Sequence, residues 1–227
     1  MYLQVGAGVK WDDCVVYAVD NGWGGMENLS WIPGEVGASA VQNIGAYGAE
    51  AKDVIAEVET LEIATGDVRI FTTEECEYGY RDSIFKQSLK GKYIVTSVTF
   101  RLDKSPVFRL DYGNLRSALP QGEAVTLQAV RDTVIAVRRS KLPEPEELGS
   151  AGSFFMNPVI PVEKYEALKL HYPDMPCYPV DESRVKVPAG WLIDRCGWKG
   201  KSFGGAAVYE RQCLVLVNRG NAEPMDI

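Results

Sequence analysis

A glycine-rich segment near the start of the chain has the composition of a ligand-binding loop. Residues 22–48 contain seven glycines and almost no charge. Glycine lets backbone N–H groups approach a ligand without interference from a Cβ atom, and successive N–H groups form a concave site for an anion. The segment has no lysine, so it does not match a Walker-type phosphate loop. A neutral, amide-rich loop suits the pyrophosphate of a dinucleotide such as FAD, while a tight structural turn packed through its glycines is the other interpretation.

An arginine between aromatic and polar residues is the second feature that could do chemistry. Arg81 follows Tyr78 and Tyr80 and precedes Asp82 and Ser83. A guanidinium carries a planar fork of N–H donors that matches the two oxygens of a carboxylate. The pattern therefore predicts a site for a carboxylate-bearing ligand. A surface ion pair between Arg81 and Asp82, or another neighbour, is the alternative.

A serine beside two aromatic rings is the third feature. Ser153 lies in the string Gly-Ser-Phe-Phe at 152–155. A hydroxyl in a dry site can hand over a proton, although serine is a weak acid and needs a strongly basic carbanion as acceptor. It also needs a neighbouring cation, for which Arg138 and Lys141 are candidates. The alternative is a Ser–Phe–Phe strand that runs into a hydrophobic core.

The elements that must position these residues alternate between helices and strands. Period-two apolar patterns predict strands, and a spacing of three to four residues predicts helices. We expect strands at 2–5, 54–63, 68–71, 93–102 and 213–217, and helices at 11–19, 123–139, 162–170 and 188–196. Residues 64–67 are a good hairpin turn, and Ile94, Thr96, Val98 and Phe100 are expected on one face of their strand. This mixture indicates an α+β fold.

Bulk properties exclude several classes of protein. The chain has 227 residues and a net charge of -7, which argues against nucleic-acid binding because phosphate neutralisation needs a basic face. No apolar run reaches the roughly 18 to 20 residues of a membrane helix, and the start lacks a signal-peptide pattern. Five scattered cysteines indicate the reduced thiols of a cytoplasmic protein. With His171 as the only histidine, we expect no metal site, and we place His171 at the surface.

Taken together and in this order, the motifs are specific. The sequence resembles the UDP-N-acetylenolpyruvoylglucosamine reductase family, of its first type, along essentially the whole chain. The strings that carry the resemblance are Glu-Asn-Leu at 27–29, Ile-Pro-Gly at 32–34, Gln-Asn-Ile-Gly-Ala-Tyr-Gly at 42–48, Tyr-Arg-Asp-Ser-Ile-Phe-Lys at 80–86, Leu-Asp-Tyr-Gly-Asn-Leu at 110–115, Lys-Leu-Pro at 141–143, Gly-Ser-Phe-Phe at 152–155 and Ala-Gly-Trp-Leu-Ile-Asp at 189–194.

The resemblance implies a fold and an activity. The fold would be a partial FAD-binding domain of the vanillyl-alcohol-oxidase/PCMH type at 1–122, a connecting helix and linker at 123–145, and an α+β substrate-binding domain at 146–227. The activity would be reduction of UDP-N-acetylglucosamine enolpyruvate to UDP-N-acetylmuramate in peptidoglycan precursor synthesis. FAD would be the cofactor and NADPH the co-substrate. We further expect a monomer that is cytoplasmic and binds neither nucleic acid nor membrane.

The resemblance also implies roles for individual residues. Arg81 would pair with the substrate carboxylate and stabilise an enolate, and Ser153 would donate the proton that quenches it. Lys141 would lie near the diphosphate and Tyr112 would close over the nucleotide. The full substrate-binding set would be Tyr47, Tyr112, Arg138, Lys141 and Asn157. The flavin-binding set would be Ile32, Pro33, Gly34, Gly37, Ser39, Gln42, Asn43, Gly45 and Gly48.

The sequence departs from the family pattern at three places. Relatives begin with a further stretch that bears a Gly-Ser-Asn loop for the flavin pyrophosphate, and they continue past the position of Asn218 to a catalytic glutamate. Neither is matched, so we expect residues 1–227 alone to bind FAD weakly or not at all, and not to turn over. Met156 occupies a position where many relatives have lysine, which removes one cation near Ser153.

Two other functions compete with this interpretation. A non-catalytic nucleotide-sugar-binding module would share the substrate residues without the chemistry. Another flavoprotein oxidoreductase would share the flavin fold. The Gly-Ser-Phe-Phe string at 152–155 and the Lys-Leu-Pro string at 141–143 argue against the latter.

Overall fold

The computed structural model describes residues 1–112, 115–120, 122, 124–144 and 146–226. The chain divides into two compact units, Met1–Arg138 and Arg139–Ile227. The division falls within the last turn of a helix that runs from Leu127 to Lys141. The expected partition at 1–122, 123–145 and 146–227 is finer, and its boundary residues 123, 145 and 227 lie outside the described part of the chain. It stays a prediction.

The first unit carries both helices and strands. Three short 3-10 turns accompany them, at Glu27–Leu29, Ala51–Asp53 and Ile84–Lys86. The elements in chain order are β1 (Tyr2–Gly6), α1 (Trp11–Asp20), α2 (Val36–Gln42), β2 (Gly45–Ala46), β3 (Ala49–Glu50), β4 (Ile55–Glu62), β5 (Val68–Thr72), β6 (Tyr93–Arg101), α3 (Leu115–Ala118) and α4 (Leu127–Lys141).

An antiparallel sheet with the strand order β1-β6-β4-β5 forms the centre of this unit. Strands β4 and β5 form the predicted hairpin, with Val58 opposite Phe71, and Gly66 supplies the positive φ of 78° in the turn. Both side chains are fully buried. On α1, Trp11, Val15 and other apolar residues three or four positions apart pack against the same core. The ring of Trp11 meets that of Phe100 edge-on, with centroids 5.8 Å apart.

The expected alternation along β6 holds for only part of the strand. Val98 and Phe100 are fully buried, as expected, but Ile94 is 53% exposed. The register shifts between the pairs Glu59–Ser97 and Thr60–Val95, so that Thr96 is an extra residue on β6. A bulge of this kind reverses which side chains face the core. The expectation that Ile94 shares the inward face with Val98 and Phe100 is therefore wrong.

The second unit has shorter elements and two small sheets. The strand orders are β8-β10-β9 and β11-β12-β13-β7, and each sheet covers a separate apolar cluster. Tyr165 and Val187 are buried in one cluster, and Val215 and Val217 in the other. The elements are β7 (Ser150–Ser153), β8 (Val159–Pro161), α5 (Val162–Lys169), β9 (Tyr178–Pro179), β10 (Arg184–Lys186), α6 (Ala189–Arg195), β11 (Ser202–Phe203), β12 (Ala206–Val208) and β13 (Val215–Asn218).

Most expectations about local structure are confirmed. Every predicted helix and strand has its counterpart within a few residues, and the mixed content agrees with an α+β fold. The largest boundary difference is at the helix expected from residue 123, which begins at Leu127. All five cysteines are free, and His171 is exposed. Within the described residues, no helix has both the length and the apolar character needed to span a membrane.

Candidate active site

The glycine-rich loop has an unusual backbone conformation. Five non-glycine residues in the described part of the chain have a positive φ, and four of them are Trp31 (57°), Asn43 (45°), Tyr47 (48°) and Arg81 (55°). A left-handed conformation costs a non-glycine residue roughly 1–3 kcal/mol, and such residues cluster at ligand sites, where the surrounding structure fixes them. Three of these four residues, Asn43, Tyr47 and Arg81, are predicted site residues, and this concentration of strain supports a binding site where Arg81 meets the loop.

Asn43 holds the loop in shape through its side chain. It is completely buried, and its Nδ2 donates to the carbonyl of Gly79 at 2.7 Å and to Glu50 Oε2 at 3.2 Å. Its Oδ1 accepts a hydrogen bond from the backbone N–H of Lys52 at 3.0 Å. The side-chain amide is therefore engaged by the protein itself, and so are the backbone N–H, which donates to the carbonyl of Ser39, and the backbone carbonyl, which accepts from Arg81.

Arg81 lies directly on the glycine-rich loop, so the structure brings two of the three sequence motifs together. Its Nη1 donates to the carbonyl of Asn43 at 3.3 Å, and its Nη2 donates to the carbonyl of Gly45. A Cβ atom on Gly45 would lie 2.6 Å from Nη1, so a larger residue there would displace the guanidinium. Glu50 lies 3.7 Å from the same nitrogen, whereas Asp82 accepts hydrogen bonds from Gln87 and from the Ser83 amide. The two carbonyl contacts use two of the five N–H donors of the guanidinium.

Three of the predicted substrate-binding residues form a second cluster in the first unit. Tyr47 lies close enough to Arg138 and Tyr112 to interact electrostatically with both. Burial raises the pKa of Tyr47, and the positive charge of Arg138 opposes that rise. Burial also lowers the pKa of Arg138. Gly48, with φ of 79°, allows Tyr112 to approach, because a Cβ there would lie 3.2 Å from the Cβ of Tyr112.

A charged network that the sequence did not predict supports this cluster. Asp12 accepts two hydrogen bonds from Arg131, at 2.8 and 2.7 Å, and a third from the backbone N–H of Trp31 at 2.5 Å. The carbonyl of Trp31 in turn accepts from Nε of Arg138 at 3.1 Å. Asp12 and Arg131 are 119 residues apart in the chain, and no local pattern links them. The seven-residue spacing of Arg131 and Arg138, two helical turns, was the available indication that both lie on one face of α4.

The predicted flavin-binding residues divide by exposure. Gly37 is buried against the residue that follows β1, where a Cβ would meet that of Ala7 at 2.8 Å, and the Ser39 hydroxyl donates to the carbonyl of Val36. Together with Asn43, these residues shape the loop from within. The remaining predicted residues lie at least partly at the surface and are Ile32, Pro33, Gly34, Gln42, Gly45 and Gly48. Contact with a flavin stays a prediction for all nine.

Ser153 ends strand β7 in the second unit. It pairs with Val215 of β13, and Gly152 before it has a φ of 63°. The two rings that follow do not enter a core, because Phe154 is 49% and Phe155 48% exposed. The structural alternative for this motif is therefore wrong. Exposed, adjacent aromatic rings beside a hydroxyl are suited to contact a ligand or another surface.

Lys141 and Asn157 also lie in the second unit. Lys141 is exposed at the C-terminal end of α4. Asn157 is half-buried, and its Oδ1 accepts a hydrogen bond from the Ala189 amide at 2.9 Å, at the start of α6. This contact gives Asn157 a structural task in addition to the predicted substrate contact. Since Arg81 belongs to the first unit and Ser153 to the second, their proximity stays a prediction.

Comparison with known proteins identifies the family. A model of the FAD binding domain matches residues 1–72, and a model of the UDP-N-acetylenolpyruvoylglucosamine reductase C-terminal domain matches residues 144–227. A UDP-N-acetylenolpyruvoylglucosamine reductase from Bacteroides fragilis is 56% identical over 225 residues, which is 99% of this chain and 68% of the relative. The chain belongs to the UDP-N-acetylenolpyruvoylglucosamine reductase family.

Further relatives of the reductase family agree. A reductase of the same name from Porphyromonas gingivalis is 52% identical over 97% of this chain and 65% of its own length. The crystal structure of UDP-N-acetylenolpyruvylglucosamine reductase from Thermus caldophilus superposes with a TM-score of 0.68 at 25% identity, covering 99% of this chain and 64% of that one. The present chain therefore spans about two thirds of the length of its relatives.

Several expectations are confirmed by this membership. The chain combines part of an FAD-binding domain with a reductase C-terminal domain, in the expected order. Its enzyme class is a flavin-dependent oxidoreductase, and its cofactor is FAD. The individual residue roles are untouched by the comparisons and are taken up as proposals below.

Proposed function

We propose that the protein uses FAD and NADPH to reduce the enolpyruvyl double bond of UDP-N-acetylglucosamine enolpyruvate, which yields UDP-N-acetylmuramate for peptidoglycan synthesis. The observation that supports this proposal most directly is the position of the Arg81 guanidinium. Its guanidinium is held by the carbonyls of Asn43 and Gly45, within the loop that we propose to hold the flavin. A cation fixed at that place is suited to receive the substrate carboxylate beside the cofactor. We further propose that the protein acts as a monomer in the cytoplasm.

The loop residues fit a flavin nucleotide. No lysine or arginine interrupts residues 29–48, and Gly34 has a φ of 123° with open space where a Cβ would lie. The buried polar side chains of this stretch are Ser30, Ser39 and Asn43, and all three are satisfied by hydrogen bonds within the protein. Ile32, Pro33, Gly34, Gly45 and Gly48 would hold the group. When bound, FAD supplies hydride transfer from the nicotinamide to the substrate double bond.

Arg81 would stabilise the negative charge that develops on the substrate. After hydride adds to the terminal carbon of the double bond, electron density moves to the carbon that bears the carboxylate. The resulting enolate places charge on the carboxylate oxygens, which the guanidinium would meet with hydrogen bonds. Preorganised positive charge is most effective where water is excluded, and here two carbonyl contacts already hold the group in place.

Ser153 would complete the reduction by protonating that carbon. Its hydroxyl proton would move to the carbanion, and Lys141 is the candidate cation to offset the charge left on the oxygen. The left-handed Gly152 before Ser153 and the exposed rings of Phe154 and Phe155 after it support a ligand-facing position. That Arg81 and Ser153 flank one carbon is a prediction of this mechanism.

The cluster of Tyr47, Tyr112 and Arg138 would bind the substrate, together with Lys141 and Asn157. Arg138 is half-buried and lies near Tyr47, so it offers a directed positive charge on a protein whose net charge is -7. A few positively charged side chains at the site are enough to bind an anionic nucleotide sugar, because local charge and not the overall charge determines binding of a small ligand.

The direct test uses protein expressed from the complete gene. We expect consumption of NADPH that depends on the enolpyruvyl substrate, with UDP-N-acetylmuramate identified by mass spectrometry. Ser153→Ala should leave reduction of the flavin by NADPH at its normal rate while product formation falls by about a hundredfold or more. Ser202→Ala, an exposed serine of the same unit, serves as the matched control. Substrate binding without any NADPH consumption would instead support a non-catalytic nucleotide-sugar-binding module.

A normal rate of product formation in Ser153→Ala would remove the proton-donor assignment. The inactivity expected of residues 1–227 by themselves stays a prediction, and an absorbance spectrum with a titration of FAD addresses it.

A further inference from the structure

Trp31 has a conformation that only its surroundings can maintain. Its φ is 57°, in the left-handed region, where a bulky side chain is rare. Both polar groups of its backbone are engaged by side chains, the N–H by Asp12 and the carbonyl by Arg138. Because local preferences oppose this conformation, these two contacts are what selects it.

The first turn of α1 holds residues 29–31 in place through two side-chain hydrogen bonds. Trp11 is almost fully buried, and its Nε1 donates to the carbonyl of Leu29 at 2.8 Å. Asp12, the next residue, accepts from the Trp31 amide at 2.5 Å. Residues 29 and 31 are thus tied to adjacent positions of one rigid helix. These two contacts fix the path of the chain through residues 29–31 of the glycine-rich loop.

Arg131 fixes the orientation of the Asp12 carboxylate. The two groups form a bidentate pair, and the Arg131 side chain is only 10% exposed. A planar fork that meets both carboxylate oxygens restricts rotation of the carboxylate, so that Oδ1 also points at the Trp31 amide. A lysine would supply the charge without this geometry.

The same helix carries Arg138 to the other side of Trp31. Seven residues separate Arg131 from Arg138, which places both on one face of α4, about two turns apart. Nε of Arg138 donates to the Trp31 carbonyl at 3.1 Å, and its guanidinium carbon lies 5.8 Å from the centre of the indole ring. Helix α4 is therefore attached to Trp31 at two points, once through Asp12 and once directly.

Charge balance gives the network a second effect. Asp12 interacts electrostatically with both arginines, so its carboxylate offsets part of the positive charge on this face of α4. Arg138 is half-buried and faces Tyr47, next to Tyr112. Loss of the Asp12 carboxylate would allow the guanidinium of Arg138 to move relative to these tyrosines.

We propose that Asp12 and Arg131 are positioning residues that act through Trp31 and Arg138 to set the affinity for substrate. This inference rests on the proposed function, in which Arg138 contacts the nucleotide sugar. Neither residue touches the substrate. Their effect is on the direction in which Arg138 presents its N–H donors.

The test measures substrate affinity in Asp12→Asn and Arg131→Lys variants of the complete protein. Asparagine keeps an acceptor for the Trp31 amide but loses the bidentate pair, and lysine keeps the charge but loses the fork. Titration of the oxidised protein with UDP-N-acetylglucosamine enolpyruvate, without NADPH, should give a dissociation constant raised about tenfold. We expect kcat to change by less than about twofold, since a displaced binding group affects affinity more than the chemical step. Asp13→Asn, an exposed neighbour on α1, is the matched control.

A double-mutant cycle separates positioning from general loss of structure. If Asp12 acts through Arg138, Asp12→Asn should change the dissociation constant by less than about twofold when Arg138 is already alanine. A full tenfold effect in the Arg138→Ala background would overturn the inference, and so would an unchanged dissociation constant in Asp12→Asn. A wild-type protein that neither binds nor reduces the substrate would refute the proposed function, and this inference with it. Normal turnover with no coupling refutes the inference alone.

Discussion

Adding one methyl group at position 45 tests whether the contact of Arg81 with the glycine-rich loop contributes to catalysis. The Cβ of Gly45→Ala would lie 2.6 Å from Arg81 Nη1, 2.9 Å from the carbonyl oxygen of Ala49 and 3.0 Å from Glu50 Cγ. The guanidinium is the end of a flexible side chain and can move. The Ala49 carbonyl is backbone in the short β2–β3 pair and cannot move as easily. We therefore expect Arg81 to leave the Gly45 carbonyl.

The magnitude follows from the contacts that are lost. A hydrogen bond from a charged group contributes about 1.5–3 kcal/mol, and overpacking costs a further 1–3 kcal/mol or so. We assign the first contribution to catalysis, because it is what holds Arg81 in place. Since each 1.36 kcal/mol corresponds to a factor of ten in rate, kcat/KM should fall by about ten- to a hundredfold. The second contribution should lower the free energy of unfolding by about 1–3 kcal/mol.

The assay compares kcat/KM, flavin content and urea unfolding of the complete protein before and after the change. Gly220→Ala is the control, because a Cβ at that position meets nothing within 4 Å. Flavin content, measured in both variants, separates loss of the cofactor from loss of the Arg81 contact, and Gly220→Ala should retain the wild-type flavin content. A folded Gly45→Ala protein with wild-type kcat/KM would show that the contact between Arg81 and the loop does not contribute to turnover.

Two further predictions concern buried polar groups. Asn28 is 2% exposed, and its Nδ2 donates to the carbonyls of Tyr47 and Arg109, both at 2.8 Å. Asn28→Asp should lower the free energy of unfolding, measured in urea, by roughly 3 kcal/mol or more, because a carboxylate would face two carbonyl oxygens. An equal loss in Asn21→Asp, at an exposed asparagine, would contradict this reasoning. For Asp12, burial raises the pKa, but hydrogen bonds from Arg131 and the Trp31 amide outweigh it, and the net pKa is lowered. The stabilisation is thus complete above the pKa of the unfolded chain, about 3.9, and is lost as pH falls through the folded pKa. Urea midpoints measured between neutral and acidic pH should therefore fall more steeply for wild type than for Asp12→Asn. Parallel curves would refute the stabilising role of the Asp12 carboxylate.

Local structure in this protein was largely predictable because it depends on neighbouring residues. The β4–β5 hairpin follows from two alternating segments around the turn at 64–67, and helix α4 follows from apolar residues at helical spacing. The bulge at Thr96 was not predictable, because an extra residue in one strand is defined only against its partner.

The candidate site shows the same division. Residue types and their order along the chain determined the family, and they pointed to the glycine-rich loop, Arg81 and Ser153 as candidate site residues. Only the tertiary structure decided that Arg81 rests on the carbonyls of Asn43 and Gly45, and that Asp12 reaches an arginine 119 residues away. Helix and strand patterns repeat over a few residues and are legible in a single sequence. A hydrogen bond between distant side chains depends on how the elements pack, and that geometry has no local pattern.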